Sequence, residues 1–295
     1  MKKKITFTIA ITLITIAIIG TLIYGYFKII GIESKPPKDE KNMYSLETEK
    51  YFDRKVFVVK PNDKNSNSMT ILYLHGGAYV GELQPEHWEF IGKIVTDTGA
   101  TVIVPDYPLA PKYTYKDVFN MIEPLYKEIV DKVGTDNIVV MGDSAGGGIG
   151  LALVEKITED SNYNIPSKTI LISPWLDVRM TNPEIDKVQE NDKELNRETL
   201  RLAGLSYAGI DGIDSKLVNP IDGDISKLKN VTIFTGTYDI LNPDVHKLMK
   251  KNANSEDNIK VKEYESAGHI WIVNRKGDKE LIDRAYNDLI QVLKT

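Results

Sequence analysis

Short apolar runs alternate with longer amphipathic stretches through most of the chain. Buried strands are predicted over residues 69–74, 101–104, 137–141, 169–173, 231–235 and 260–264. Helices are predicted around 86–97, 118–133, 148–156, 245–250 and 279–293, with Pro124 bending the second or marking a break in it. Residues 52–60 read as an antiparallel edge strand and 62–68 as a polar turn. Strands that carry no polar face and alternate with helices imply an α/β fold, a mostly parallel sheet covered on both sides. Residues 176–214 break that rhythm, being charged, helix-forming and without a buried strand. They read as a small lid insertion over the sheet edge, or else as a surface excursion with no role.

The amino end follows a different pattern. Lys2, Lys3 and Lys4 precede an uncharged run of 23 residues, Ile5 to Phe27. As a helix it would be about 34 Å long, enough to cross a hydrocarbon core of roughly 30 Å. Tyr24, Tyr26 and Phe27 close it, where an aromatic belt belongs, and the lysines favour an inside amino terminus. A cleaved signal peptide is the competing reading. Its apolar region is usually shorter and ends in small residues at the cut. The domain expectation is therefore a membrane anchor or signal segment at 1–34, a tether or partial lid at 35–50, and the α/β domain, with its lid insertion, at 51–295. Either reading of the first segment exports that domain.

Composition narrows the chemistry. With 295 residues there is room for one large α/β domain. No cysteine is present, so thiolate metal sites and cysteine nucleophiles are excluded. The net charge is −5, and beyond residue 34 it is −8 (33 basic, 41 acidic), which argues against a nucleic-acid partner.

The candidate chemistry gathers at strand ends. Gly142-Asp143-Ser144-Ala145-Gly146-Gly147 stands between a strand and a helix, the context a nucleophile elbow needs. On its own it is also a glycine-rich turn that starts a helix. His75-Gly76-Gly77 follows an earlier strand, so its backbone N–H groups reach the same edge and suit an oxyanion, with Ala145 N–H as a third donor. Serine needs a base, and the chain has four histidines: His75, His87, His246 and His269. His87 and His246 read as surface residues. His269 follows the 260–264 strand after a short turn and is the candidate base. Asp239, in the loop after 231–235, is the candidate acid, with Asp244 its nearest rival at a helix start. The order Ser, Asp, His is that of α/β-hydrolases.

Together these motifs resemble the bacterial esterases related to hormone-sensitive lipase. The matching pieces are His75-Gly76-Gly77-Ala78, Asp106-Tyr107-Pro108-Leu109-Ala110-Pro111, the elbow, Tyr238-Asp239-Ile240-Leu241 and Gly268-His269. The resemblance implies an α/β-hydrolase fold and a serine carboxylesterase with no metal or cofactor; from the roles of these residues and the aromatics beside them, an acyl-enzyme formed from acetyl or other short-chain esters is expected. The resemblance carries over Ser144, Asp239 and His269 as the triad and Gly76, Gly77 and Ala145 as oxyanion donors. His75 would fix its loop and Asp143 would support the elbow. Tyr79, Tyr107, Trp175 and Trp271 flank the motifs and are candidate pocket residues, or ordinary packing. The implied partners are a small ester and, through the amino-terminal helix, a membrane. A serine peptidase or arylamidase on the same fold, and a non-catalytic surface binding protein, are the alternatives.

Overall fold

The computed structural model describes residues 44–62, 66–160, 164–251 and 258–295. The expected anchor and the first part of the tether fall outside the described residues. Among the described residues no helix is long and apolar enough to cross a membrane.

Eight strands form one sheet: β1 (Tyr44–Tyr51), β2 (Arg54–Pro61), β3 (Thr70–Leu74), β4 (Thr101–Pro105), β5 (Ile138–Asp143), β6 (Lys168–Ile172), β7 (Val231–Gly236) and β8 (Ile259–Tyr264). Their spatial order is β1-β2-β4-β3-β5-β6-β7-β8. β1 and β2 run antiparallel and the other pairings, from β4 to β8, are parallel. The helices are α1 (Pro85–Thr98), α2 (Tyr115–Val133), α3 (Ser144–Glu159), α4 (Ile185–Val188), α5 (Arg197–Ala208), α6 (Asn242–Lys251), α7 (Trp271–Asn274) and α8 (Lys279–Lys294).

Side chains alternate across the sheet and so divide the core in two. Leu72, Leu74, Val140 and Leu171 face the layer built by α2, α3 and the 173–230 segment. Ile71, Tyr73, Val139, Met141 and Ile170 face the layer of α1 and α8. The central strands have no polar face because both faces are covered. β1 is the exception: its middle six residues are exposed and it pairs on one side only.

Two expectations change. Residues 44–50, expected as tether or partial lid, belong with Tyr51 to β1, so 52–60 holds the second strand rather than the edge. The stretch Tyr44-Ser45-Leu46-Glu47-Thr48-Glu49-Lys50 is too polar to announce a strand, and what makes it one is pairing with β2 along its whole length. α2 runs through Pro124 without a break. The proline ring is exposed, and the helix is closed at its start by the reciprocal bonds of Thr114 and Asp117 and at its end by Gly134. The 176–214 insertion, expected over the sheet edge, also packs into the main core, where Leu176, Val178, Met180, Ile185, Leu200 and Tyr207 are buried.

Candidate active site

Ser144 is the first residue of α3, directly after β5. Its φ is +52°, a left-handed conformation that costs a non-glycine residue about 1–3 kcal/mol. The surrounding sequence makes that turn possible. A Cβ at Gly146 would lie 2.0 Å from the Leu74 carbonyl oxygen, so only glycine lets α3 start so close to β3. Trp175 N–H then bonds the Ser144 carbonyl at 2.9 Å and ties the end of β6 to the turn.

Three side chains from three loops meet here. Ser144 Oγ lies 2.9 Å from His269 Nε2, and His269 Nδ1 lies 2.9 Å from Asp239 Oδ2. A carboxylate only accepts, so Nδ1 carries the proton and Nε2 is left to accept from the serine hydroxyl. All three are buried, Asp239 completely. Asp239 is fixed in turn by Leu241 N–H on its Oδ1 at 2.9 Å. Burial pulls the His269 pKa down, but the charge and hydrogen bond of Asp239, with the charges of Asp192 and Glu194, outweigh it and raise the ring above its ordinary 6.5. Asp244 does not reach this chain of bonds. Its Oδ1 accepts from Asn182 Nδ2, and burial pushes its carboxyl up to about 6.

The glycine loop differs from expectation at one position. Gly76 N–H donates to Asp143 Oδ1 at 3.1 Å, so it is not available to an oxyanion. A Cβ at Gly76 would sit 2.3 Å from Asp143 Oδ2, which explains glycine there without a ligand. Among the described residues, Gly77, Ala78 and Ala145 N–H have no acceptor. Ala78 takes a φ of +53° where glycine would be easier. The sequence reading therefore placed the donor pair one residue too early. The occupied N–H has no trace in sequence, because its acceptor lies 67 residues away.

Asp143 holds this loop rather than only the elbow. Tyr73 OH donates to its Oδ1 at 2.5 Å and His87 Nε2 lies 3.3 Å from its Oδ2. Burial alone would raise its carboxyl; the His87 ring, the bonds from His87 and Tyr73, and His75 bring it below the usual range. His87, expected on the surface, is buried at the third position of α1, where its Nδ1 accepts Gln84 N–H. His75 is buried and stacks on Tyr107 at 4.3 Å. Its Nδ1 donates to the Gly76 carbonyl at 2.6 Å. Burial and the neighbouring His87 lower its pKa to about 3, so it is neutral. Tyr107 OH donates to the His75 carbonyl at 2.6 Å.

The four aromatic pocket candidates, Tyr79, Tyr107, Trp175 and Trp271, are all packing residues, none more than 1% exposed. Tyr79 stacks between Trp175 (5.0 Å) and Tyr207 (3.8 Å, rings 2° apart). Trp271 packs on Tyr264. Sequence reasoning missed Tyr73, Asp192, Glu194, Tyr207 and Asn274. They occur outside motifs; long-range bonds reveal Tyr73, Asp192, Glu194 and Asn274, and stacking on Tyr79 reveals Tyr207. Among the described residues no group of three or more His, Asp or Glu side chains is placed to hold a metal ion.

The sequence pattern of the alpha/beta hydrolase fold matches residues 71–273, from β3 through α7. The chain belongs to the α/β-hydrolase family. The match spans the motifs that resemble the esterases related to hormone-sensitive lipase. An esterase of Acinetobacter venetianus is 29% identical over 203 residues, 68% of this chain and 66% of that protein. A Mycobacterium tuberculosis protein named as the acetyl-hydrolase LipR is 29% identical over 210 residues, 69% of this chain and 66% of its own length. This α/β-hydrolase thus spans just under two thirds of the length of these two relatives. A crystal structure of a Staphylococcus aureus protein titled as an esterase superposes with a TM-score of 0.81 at 28% identity, covering 92% of this chain and 90% of that one.

Proposed function

We propose that this protein is a carboxylic ester hydrolase working through an acyl-enzyme on Ser144. The observation that carries the proposal is the unbroken hydrogen-bond chain from Ser144 through His269 to Asp239, each link 2.9 Å. Ser144 Oγ attacks the ester carbonyl carbon as its proton passes to His269 Nε2. The carbonyl electrons move to an oxyanion facing the N–H groups of Gly77, Ala78 and Ala145. When the tetrahedral centre collapses, the alkoxide leaves and takes the proton from Nε2. Water then gives a proton to Nε2 and attacks the acyl carbon; collapse releases the acid and returns the proton to Ser144. Asp239 keeps Nδ1 protonated and stabilises the imidazolium.

An acetyl or other short acyl group suits the site best. Gly148, one turn beyond Ser144, is hemmed in by the Trp175 carbonyl oxygen and Tyr79 OH, so little free space is left beside the first turn of α3. The similarity to a protein named as an acetyl-hydrolase points the same way. The lysine triplet and the following apolar run support a domain held at the outer face of a membrane.

The test is the full chain assayed on p-nitrophenyl acetate, butyrate and a long-chain ester, with an anilide of acetic acid beside them. Acetate and butyrate should be turned over fastest, and a fluorophosphonate should label Ser144. Wild-type turnover in Ser144→Ala would defeat the reading.

A further inference from the structure

The segment between β6 and β7 reaches the acid loop and the base loop by separate ties. Asp192 is buried, and its Oδ2 accepts the N–H of Ile240, the residue next to Asp239, at 3.0 Å. Its Oδ1 is locked by Glu194 N–H at 2.9 Å and Leu195 N–H at 2.8 Å, so the carboxylate is a rigid acceptor. Glu194 accepts from Asn274 Nδ2, 3.0 Å from its Oε2. The same amide nitrogen donates to the backbone carbonyl of His269 at 3.0 Å. Two acids spaced two residues apart thus grip both loops whose side chains meet at Ser144.

The charges of the same two carboxylates also act on the imidazole. Around His269 stand Asp239 at Nδ1, Ser144 at Nε2, and Asp192 and Glu194 from this segment; Lys276 pairs with Glu194 at 3.2 Å on the outer side. Asp192 and Glu194 both act to keep the ring's proton on.

We propose that Asp192 and Glu194 are positioning residues: they hold the Asp239 and His269 loops in bonding register with Ser144 and set the field in which His269 titrates. The segment is then a clamp on the triad rather than only a cover over it. This rests on the ester-hydrolase reading above. A lid that had merely packed on the core would need neither bond. Asn182, which donates to Asp244 Oδ1 at 2.9 Å, anchors the same segment to the start of α6, just beyond the acid loop.

Three variants of the full chain, Glu194→Ala, Glu194→Gln and Asp192→Asn, test the clamp. Each is measured for kcat and KM on p-nitrophenyl acetate, for the pH profile of kcat/KM, for fluorophosphonate labelling and for melting temperature. Glu194→Ala should lower kcat by roughly tenfold to a hundredfold with KM little changed, because misplacing the base by a fraction of an ångström is enough. Its acid limb should move to lower pH, since a ring relieved of a nearby negative charge loses its proton more easily. Glu194→Gln keeps an acceptor for Asn274, so kcat should recover while the acid limb stays displaced as in the alanine variant. Asp192→Asn turns one acceptor oxygen into a donor against a backbone N–H and should lower kcat and move the limb in the same direction. Unchanged kcat and an unmoved limb in the Glu194 variants, in an active wild type, would overturn the clamp. So would a loss of kcat that only follows the melting temperature. Should Asp192→Asn fail to fold, the Glu194 pair decides alone. A wild type that neither turns over nor takes the fluorophosphonate would instead remove the ester-hydrolase reading itself.

Discussion

On the nucleophile side of the site, Tyr73, Gly76 and His87 all bond one carboxylate, Asp143, which immediately precedes Ser144. Strands β3 and β5 are neighbours, so the glycine loop and the elbow are joined inside the core. On the acid–base side, Asp239 and His269 leave β7 and β8, the last two strands of the sheet. Their loops touch each other through Tyr238 N–H on the Ala267 carbonyl at 3.0 Å. Further hold comes from outside, from Asp192 and from Glu194 through Asn274. One half of the site is thus fixed by the fold's centre, and the other by a segment laid over its rim. Damage to the first should appear as lost stability, and damage to the second as lost turnover.

The largest effect breaks both halves at their junction. Ser144→Ala or His269→Ala should reduce ester turnover on the order of 10⁴-fold or more while leaving the melting temperature near wild type, read by steady-state kinetics and calorimetry. Next comes Asp143→Ala, which leaves Gly76 N–H, Tyr73 OH and the His87 ring without their acceptor. It should destabilise the protein by about 3–5 kcal/mol in denaturant unfolding. A variant at Asp143 that kept full stability yet lost activity would erase the contrast between the two sides.

Glu155 sharpens the comparison, because it lies on α3, the helix that Ser144 begins. It is 4% exposed, and its Oε1 has no partner among the described residues. Burial pushes its carboxyl up from 4.5 to about 9, against the pull of Lys251. With the folded pKa above the unfolded one, its contribution to stability is full below about pH 4.5 and is lost as pH rises towards 9. Glu155→Gln should then raise the unfolding free energy by roughly 1–3 kcal/mol at mildly alkaline pH, leave it little changed near pH 4.5, and leave kcat alone. Equal stabilisation at both pH values would rule out this titration.

The smallest effect concerns the base. His269 is raised above 6.5 in the folded protein, and only its neutral form accepts the serine proton. The kcat/KM of the wild type should therefore fall as pH drops through a value above 6.5, visible in a pH series at constant ionic strength. An acid limb below 6.5 would mean that burial, not Asp239 and its neighbours, dominates the ring.

Much of this was legible from the amino acids alone. The apolar runs of β3 through β7 and the long helices between them follow from hydrophobic spacing, whereas β8 is buried only at its two ends. Ser144, Asp239 and His269 could be named because each follows a strand and must emerge at one edge of the sheet. The failures share a cause. Gly76 and Gly77 look alike in sequence, yet only Gly76 has Asp143 beside it. His87 reads as a polar residue on an exposed helix start, and its burial depends on Asp143 across the sheet. Asp192 and Glu194 sit in a charged run, Gln189-Glu190-Asn191-Asp192-Lys193-Glu194, indistinguishable from solvated surface.

The sequence by itself determined the strands from β3 to β7 with the long helices between them, the strained turn at Ser144 and the chain order of Ser144, Asp239 and His269, because these depend on local spacing and on where glycine is allowed. Tertiary structure decided which N–H groups stay free, which histidines are buried, and which carboxylates reach the loops of Asp239 and His269. Those outcomes depend on partners 48 to 82 residues apart along the chain. A hydrogen bond acts over about 3 Å, and only folding brings such partners that close.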